Sequence, residues 1–524
     1  MGLRTLREIG HVEKAVQLLG TADLGDVDHR AHVEGTNILL VPQPSSDMND
    51  PLRWSTLQKY AAFLNVCVFS ATTTGFVGGF APALYELSVE FNQSLTKTTG
   101  LILWALFISG IGNFFWVPLG VYFGKRPIFV LSAFILFVST IWCAVSNTFG
   151  SILASRIVGA FAGSSTEALA VAMIDDIFYL HERGSKTGLY IMFIYSGNSI
   201  GPLVAGFIVQ GLNLVGIFLF VHESRFDRRT QSSAPLEHGV QSEETEGAEK
   251  YAGAQTVERV PTVMNSSIGA NTKRSFVKNL SLWSGTSDQS ILSHSLRPWL
   301  LSVYPAVFWG TTIYALCLAW QIGSGTLTSF IFQLPPYNFS PGVNGLINIP
   351  AFVGNLLGSI TGGYVTDVYV QYWARKHEGK FSPEARLVLL VVPAVIVPTG
   401  LLMFGFGAQR QLHWAVIYVG YGGINYVTCV ASIAFTLVMD SYFEVAAEAL
   451  LMINGGSKII AWAFTYGFIP WTTSAGYERV FGTMAGLFLV WIAAAVPLYV
   501  FGPRIRNYTT TKMRVVFWDT TSHA

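Results

Sequence analysis

A helix needs about 20 consecutive apolar residues to cross the hydrocarbon core of a bilayer, and this chain offers eleven such runs. They lie near 60–84, 100–123, 128–146, 151–174, 188–210, 301–327, 343–366, 387–408, 412–438, 447–470 and 482–502. A further run, Leu212–Val221, has only ten residues. A water-soluble chain carries roughly 25% charged residues. Here 12% of 524 residues are charged and 51% are hydrophobic. So little charge cannot cover so much apolar surface, which excludes a soluble enzyme, a disordered chain and a collagen-like fibre. The formal net charge of +1 leaves no electrostatic footprint for nucleic acid. Cys67, Cys143, Cys317 and Cys429 stand singly within apolar runs, a spacing that gives neither a zinc site nor a disulfide framework.

The runs fall into two groups. Residues 1–56 read as a polar N-terminal tail without the basic start and short apolar core of a secretory leader. Residues 57–221 form a first transmembrane bundle, 222–297 a linker, 298–503 a second bundle and 504–524 a C-terminal tail. Ser232–Ser287 is rich in Ser, Glu, Gln, Thr and Gly and cannot bury enough apolar surface to fold alone; Val277–Trp283 within it is a candidate surface helix.

Suppose the N-terminal tail is cytosolic and twelve spans exist. The inner loops and tail then hold Lys125, Arg126, Arg183, Lys186, Arg375, Lys376, Lys380, Arg386, Arg504, Arg506, Lys512 and Arg514, and the outer loops Lys97, Arg410 and Arg479. Twelve against three is a clear positive-inside bias, which places both tails and the linker in the cytosol. The same bias requires a sixth crossing at Leu212–Val221. Yet Gly188–Val221 offers 34 residues for two crossings that need about 40. The expected fold is therefore an all-α membrane protein of two six-helix bundles with an abnormally short sixth span.

Particular motifs sharpen this. The second and third spans join through Gly124-Lys125-Arg126-Pro127. The fifth carries Gly197-Asn198-Ser199-Ile200-Gly201-Pro202 and then Ala205-Gly206. The first is entered through Asp50-Pro51-Leu52-Arg53-Trp54, and the tenth ends in Asp440-Ser441-Tyr442 before Ala446-Ala447-Glu448-Ala449-Leu450. Together, over residues 50–503, these motifs resemble the major facilitator superfamily, and within it the fungal drug:proton antiporter branch of twelve-span transporters. Two departures stand out. Val121 occupies the position, three before Gly124, where the family usually has an acid, whereas the matching turn of the second half keeps Asp367. Roughly 15–20 residues of the family pattern are also missing between Gln210 and Val215, by the span-length arithmetic.

Ionisable groups inside spans cost about 2.5–3.5 kcal/mol each on insertion scales, so each is a functional candidate. Arg156 and Glu167 in the fourth span are eleven residues apart, close to three helical turns, and share one face about 16 Å apart along the axis. The resemblance makes Arg156 the superfamily's fourth-span arginine, associated with proton coupling. Glu167 is the second coupling candidate, because burial disfavours a charged carboxyl and wetting restores it. The alternative is a structural arginine on backbone carbonyls beside a cavity-facing glutamate.

Gly124, Lys125, Arg126, Gly197, Gly201, Pro202, Gly206, Asp367 and Asp440 are candidates for gating, since small residues let helices approach and proline bends them. Asp175, Asp176, Asp440, Glu444 and Glu448 are expected to bridge to Lys125, Arg126, Arg183 or Lys458. Lys458, beside Asn454, either meets an anionic substrate, pairs with a carboxylate such as Glu167, or snorkels to the cytosolic surface. Asn198, Tyr314, Trp320, Tyr421, Asn425 and Lys458 are candidates to line an amphipathic substrate cavity; Tyr304, Trp309, Tyr418 and Tyr426 are others, with helix packing as the competing role. Asn92 and Asn338 head glycosylation acceptor patterns on predicted outer loops. A phosphate-binding glycine loop, a metal-ligand pattern and a nucleophile elbow are all missing from the sequence, so the expectation is no enzyme, no metal and no cofactor.

The sequence thus predicts a monomeric, multi-pass, plasma-membrane secondary transporter. Its partners are a small-molecule substrate, protons and the lipid bilayer. The reading is proton-coupled efflux of drugs or secondary metabolites. The alternatives are an importer of a cationic nutrient such as a polyamine, and a truncated, non-transporting product.

Overall fold

A computed structural model describes residues 2–5, 50–200, 291–377, 382–442, 445–512 and 514–517. The short run Leu212–Val221, Gly201, Pro202, Gly206, Glu444, most of the linker and its candidate helix Val277–Trp283 lie outside the described residues. Within them, nine stretches are long and apolar enough to cross a membrane: Thr56–Glu90, Leu95–Phe123, Lys125–Val145, Phe149–Ile177, Pro305–Phe332, Gly342–Lys376, Pro383–Gln409, Trp414–Ser441 and Tyr477–Thr511. Each overlaps an expected span. The expected fifth and eleventh spans appear as the helix Leu180–Ile200 and as Ala446–Leu451 continuing through Met452–Gly456 to Tyr466. Helices dominate because a chain in lipid must pair every backbone N–H and C=O internally.

Polar caps set several helix starts. The Ser55 side chain accepts from Gln58 N, Ser94 from Lys97 N and Thr148 from Ser151 N, each satisfying a first-turn donor. The first span therefore begins at Thr56, earlier than the apolar run, and gives way at Ala81–Ala83 to a tight turn around Pro82. At the turn after the second span Gly124 has φ 101°, a backbone region open to glycine and costly for other residues.

Burial sorts the helices into inner and outer. The most apolar stretch of the seventh span, Pro305–Phe332, is 94% buried, and those of the tenth and fourth are 89% and 76% buried. The third and twelfth are only 39% and 28% buried. The inner helices are covered by protein and the outer ones present their apolar sides outward. The two halves meet where the fifth span packs on the eighth and tenth, and the second on the eleventh. Glycines allow close helix approach within each half. A Cβ on Gly197 would lie 2.2 Å from the Ala71 carbonyl oxygen, and one on Gly354 would lie 2.1 Å from that of Gly422. Gly197→Ala should therefore force the first and fifth spans apart and destabilise the protein by about 1–3 kcal/mol, read as a lower unfolding temperature of the purified protein.

Two features were not anticipated. The last linker residues are helical, as part of Ile291–Leu301. Residues Gly2–Thr5 also pair antiparallel with Arg514–Phe517, Leu3 opposite Val516, so both chain ends lie at one end of the bundle.

Candidate functional site

A buried charged cluster joining the two halves forms where two spans are locally interrupted. The fourth span breaks at Ser164, between Phe149–Gly163 and Ser165–Ile177. The run Gly163-Ser164-Ser165-Thr166 favours such a break, because glycine and hydroxyl side chains are poor helix formers; Ser164 Oγ donates to the Phe161 carbonyl at 2.7 Å. Glu167 stands in the first turn after this irregularity. Across the interface, the eleventh span carries a wide turn over Met452–Gly456, of the kind found at functional sites. It presents Asn454 and, in the following turn, Lys458.

Lys458 Nζ pairs with Glu167 Oε1 and donates to Ser109 Oγ at 2.7 Å. Asn113 Nδ2 donates to Glu167 Oε2 at 3.2 Å and Asn454 Nδ2 to the Glu167 carbonyl at 3.3 Å. Tyr190 OH donates to that same carbonyl at 2.9 Å. All six residues are buried, Glu167 being 2% and Lys458 7% exposed. Lys458 does not snorkel; of the three expectations for it, pairing with Glu167 is the one the structure displays. Ser109 and Asn113 were missed from sequence because single polar residues in an apolar span carry no pattern until a partner faces them.

Arg156 has a separate set of partners. Its Nε donates to the Leu101 carbonyl at 2.7 Å and its guanidinium to the Val77 carbonyl, with Phe80 4.3 Å below the charge. These contacts match the structural alternative. Ser164 keeps helical angles, φ −59° and ψ −21°, so Arg156 and Glu167 stand on one span, Phe149–Ile177, but take different partners.

A second cluster sits at the end of the bundle where the first span starts. Arg386, buried, holds Asp367 at 2.8 Å and Asp440 at 2.9 Å, and Ser185 of the fifth span donates to Asp367 Oδ2 at 3.0 Å. Asp367 and Asp440 were expected here; their common partner was not, because Arg386 was counted only as a loop charge. In the first half Lys125 pairs with Asp176 at 2.5 Å and Arg183 with Asp175 at 2.6 Å. Arg126 is also buried at this turn, at 1% exposure. Glu448 pairs with Arg297 at 3.0 Å.

The two halves are bonded at both ends. Besides Ser185–Asp367, Ser359 Oγ donates to the Gly188 carbonyl at 2.5 Å. At the opposite end the Pro82 carbonyl accepts from Gln333 at 2.6 Å and Asn344 at 3.4 Å. This is a closed arrangement.

The other cavity candidates are packed. Tyr314 meets Phe435 edge-on at 5.1 Å. Gln321 Nε2 donates to Asn425 Oδ1 at 2.7 Å, and Asn425 Nδ2 to the Tyr421 carbonyl at 2.8 Å. The Asn198 side chain fills the space beside Gly78. Trp320 lines a cavity of 240 Å³ with Phe464, Phe468 and Trp471. Trp309 Nε1 donates to the Trp491 carbonyl at 3.0 Å. Asn92 and Asn338 are exposed at positive φ of 49° and 50°, which asparagine tolerates better than most residues. The four cysteines are free.

Two helical bundles closed around a buried, charged interface define a polytopic membrane transporter. A family model for the Major Facilitator Superfamily matches residues 62–457, and the chain belongs to that superfamily. It is 24% identical to an uncharacterized MFS-type transporter of Schizosaccharomyces pombe, over 92% of this chain and 90% of the relative. It is 25% identical to Protein HOL1 of Saccharomyces cerevisiae, over 90% and 91%, and 25% identical to a probable efflux pump, mfs2, of Aspergillus flavus, over 73% and 88%. Among solved structures, the human organic anion transporter MFSD10 superposes with a TM-score of 0.52 at 14% identity, over 83% of this chain and 99% of that one. A peptide transporter, POT, gives 0.53 at 13%, over 87% and 95%. At such identities these two establish the fold alone.

Proposed function

We propose that this transporter is a proton-coupled exporter of small amphipathic organic compounds, with Glu167 as the proton carrier. The observation that carries the reading is the buried Glu167–Lys458 pair, which joins the first half to the second. A charged pair removed from water holds only while both partners are charged. Protonating Glu167 cancels its attraction for Lys458 and weakens the closed arrangement; releasing the proton restores it. A proton and a substrate that bias the same equilibrium between closed and open states are thereby coupled. Arg156 supports this switch by tying the first, second and fourth spans together.

Export is favoured by a relative named as a probable efflux pump and by the fifth-span glycine–proline motif, of which Gly197 shows the close approach. The Arg386 cluster and Lys125–Asp176 act as locks on the cytosolic side, with Trp320, Tyr421 and Asn425 on the substrate side. Under this proposal the tails lie in the cytosol and Asn92 and Asn338 outside, in a monomer at the plasma membrane; the basic-loop bias and the exposure of both asparagines support it. The test is reconstitution in vesicles with rhodamine 6G as the amphipathic probe. An imposed pH gradient should drive dye movement, and a dye gradient should move protons. Dye flux indifferent to the gradient removes proton coupling. Cells lacking the protein should become sensitive to toxic compounds; loss of uptake of a cationic nutrient instead would establish an importer.

A further inference from the structure

Two amide oxygens beside Glu167 lack a donor. Both amides are fixed by their nitrogens: Asn113 Nδ2 donates to the Ser109 carbonyl at 3.0 Å and to Glu167 Oε2 at 3.2 Å, and Asn454 Nδ2 donates to the Glu167 carbonyl at 3.3 Å. Their Oδ1 atoms are buried without a hydrogen-bond partner, and the residues are 0% and 1% exposed. A buried polar atom left unpaired costs about 1–3 kcal/mol, and such atoms mark a function or a missing occupant.

The surroundings say what is missing. Lys458 brings three N–H donors and gives two of them, to Glu167 and Ser109. Against these stand the two carboxylate oxygens, the serine hydroxyl and the two orphan amide oxygens. The cluster is rich in acceptors around one negative charge and short of N–H donors. Apolar walls adjoin it: the Phe114 ring lies against Gly455 and stacks on Trp299 at 4.9 Å.

We propose that the Lys458 ammonium is an internal stand-in for the ammonium group of a substrate, and that this site binds protonated primary amines with an apolar body by displacing Lys458 from Glu167. The incoming group bonds the carboxylate and reaches the Asn113 and Asn454 oxygens. Lys458 keeps Ser109 as its partner. A quaternary ammonium carries the same charge but no N–H, and leaves the orphan oxygens unpaired. The inference rests on the transporter reading for the existence of a substrate, and does not depend on proton-driven flux.

The test is equilibrium binding of radiolabelled phenethylamine to the purified full chain in lipid nanodiscs, at a mildly alkaline pH where an alkylamine is still protonated. Lys458→Met removes the tethered competitor and should bind phenethylamine about tenfold more tightly, a 1.4 kcal/mol gain. The N,N,N-trimethyl analogue should bind the unaltered protein at least about tenfold more weakly than phenethylamine. Asn454→Leu should weaken phenethylamine binding severalfold. Unchanged affinity in Lys458→Met, or equal binding of the two ligands, overturns the proposal. Should Lys458→Met not fold, the analogue and Asn454→Leu decide: an analogue that binds as well as its parent, or an Asn454→Leu protein with unchanged affinity, has the same force. Failure here with gradient-driven flux intact removes the amine class alone; amine binding without gradient-driven flux removes the coupling alone.

Discussion

Replacing Glu167 with Gln should reduce pH-gradient-driven flux by about a hundredfold, the upper end of the coupling that two linked sites usually show, while downhill exchange of substrate continues. The physical case is that glutamine keeps the shape and accepts a hydrogen bond from Lys458, but has no proton to exchange. The Lys458–Glu167 ion pair then becomes a hydrogen bond from the ammonium to an amide oxygen that no proton can switch off. The rocking equilibrium survives and its dependence on pH does not. The measurement is dye flux into vesicles of the variant with and without an imposed gradient. Full gradient-driven flux in Glu167→Gln would falsify the assignment of Glu167 as the proton carrier.

Replacing Arg386 with Met should be the most destabilising single change in the Arg386–Asp367–Asp440 cluster. Arg386 is 3% exposed and holds two carboxylates, Asp367 and Asp440, within 2.9 Å. Its loss leaves two buried acids facing each other with the Ser185 hydroxyl as the donor bonded to Asp367. Breaking a buried pair from one side costs about 3–5 kcal/mol, because the remaining charge is uncompensated. The expected result is a large fall in the unfolding temperature and in recovery from the membrane. Adding Asp367→Asn and Asp440→Asn to Arg386→Met should return most of that loss, since the charge imbalance is then removed. If the triple variant is no more stable than the single one, the destabilisation comes from lost packing and the electrostatic account fails.

How much of this was legible beforehand differs from element to element. The nine long apolar helices were readable from run length alone, because the bilayer imposes one rule on every span. Their starts shifted where Ser55 or Thr148 caps the chain outside the apolar run. The break at Ser164 was not foreseen, although the Gly163–Thr166 run carried the signal. Helical spacing associated Arg156 with Glu167 but could not supply their partners, which are Val77 and Leu101 for one and Lys458 for the other. Arg386 looked like one loop cation among many until the fold set two aspartates around it.

The sequence by itself determined that the chain spans a membrane many times and which few charges are submerged. Hydrophobic run length and the cost of an intramembrane charge act residue by residue, so they are visible without neighbours. Only the tertiary structure decided which submerged charges meet. Pairing Glu167 with Lys458 across 291 residues of chain, and leaving Asn113 and Asn454 one donor short, depends on helices brought together by small-residue packing. No local pattern records that register.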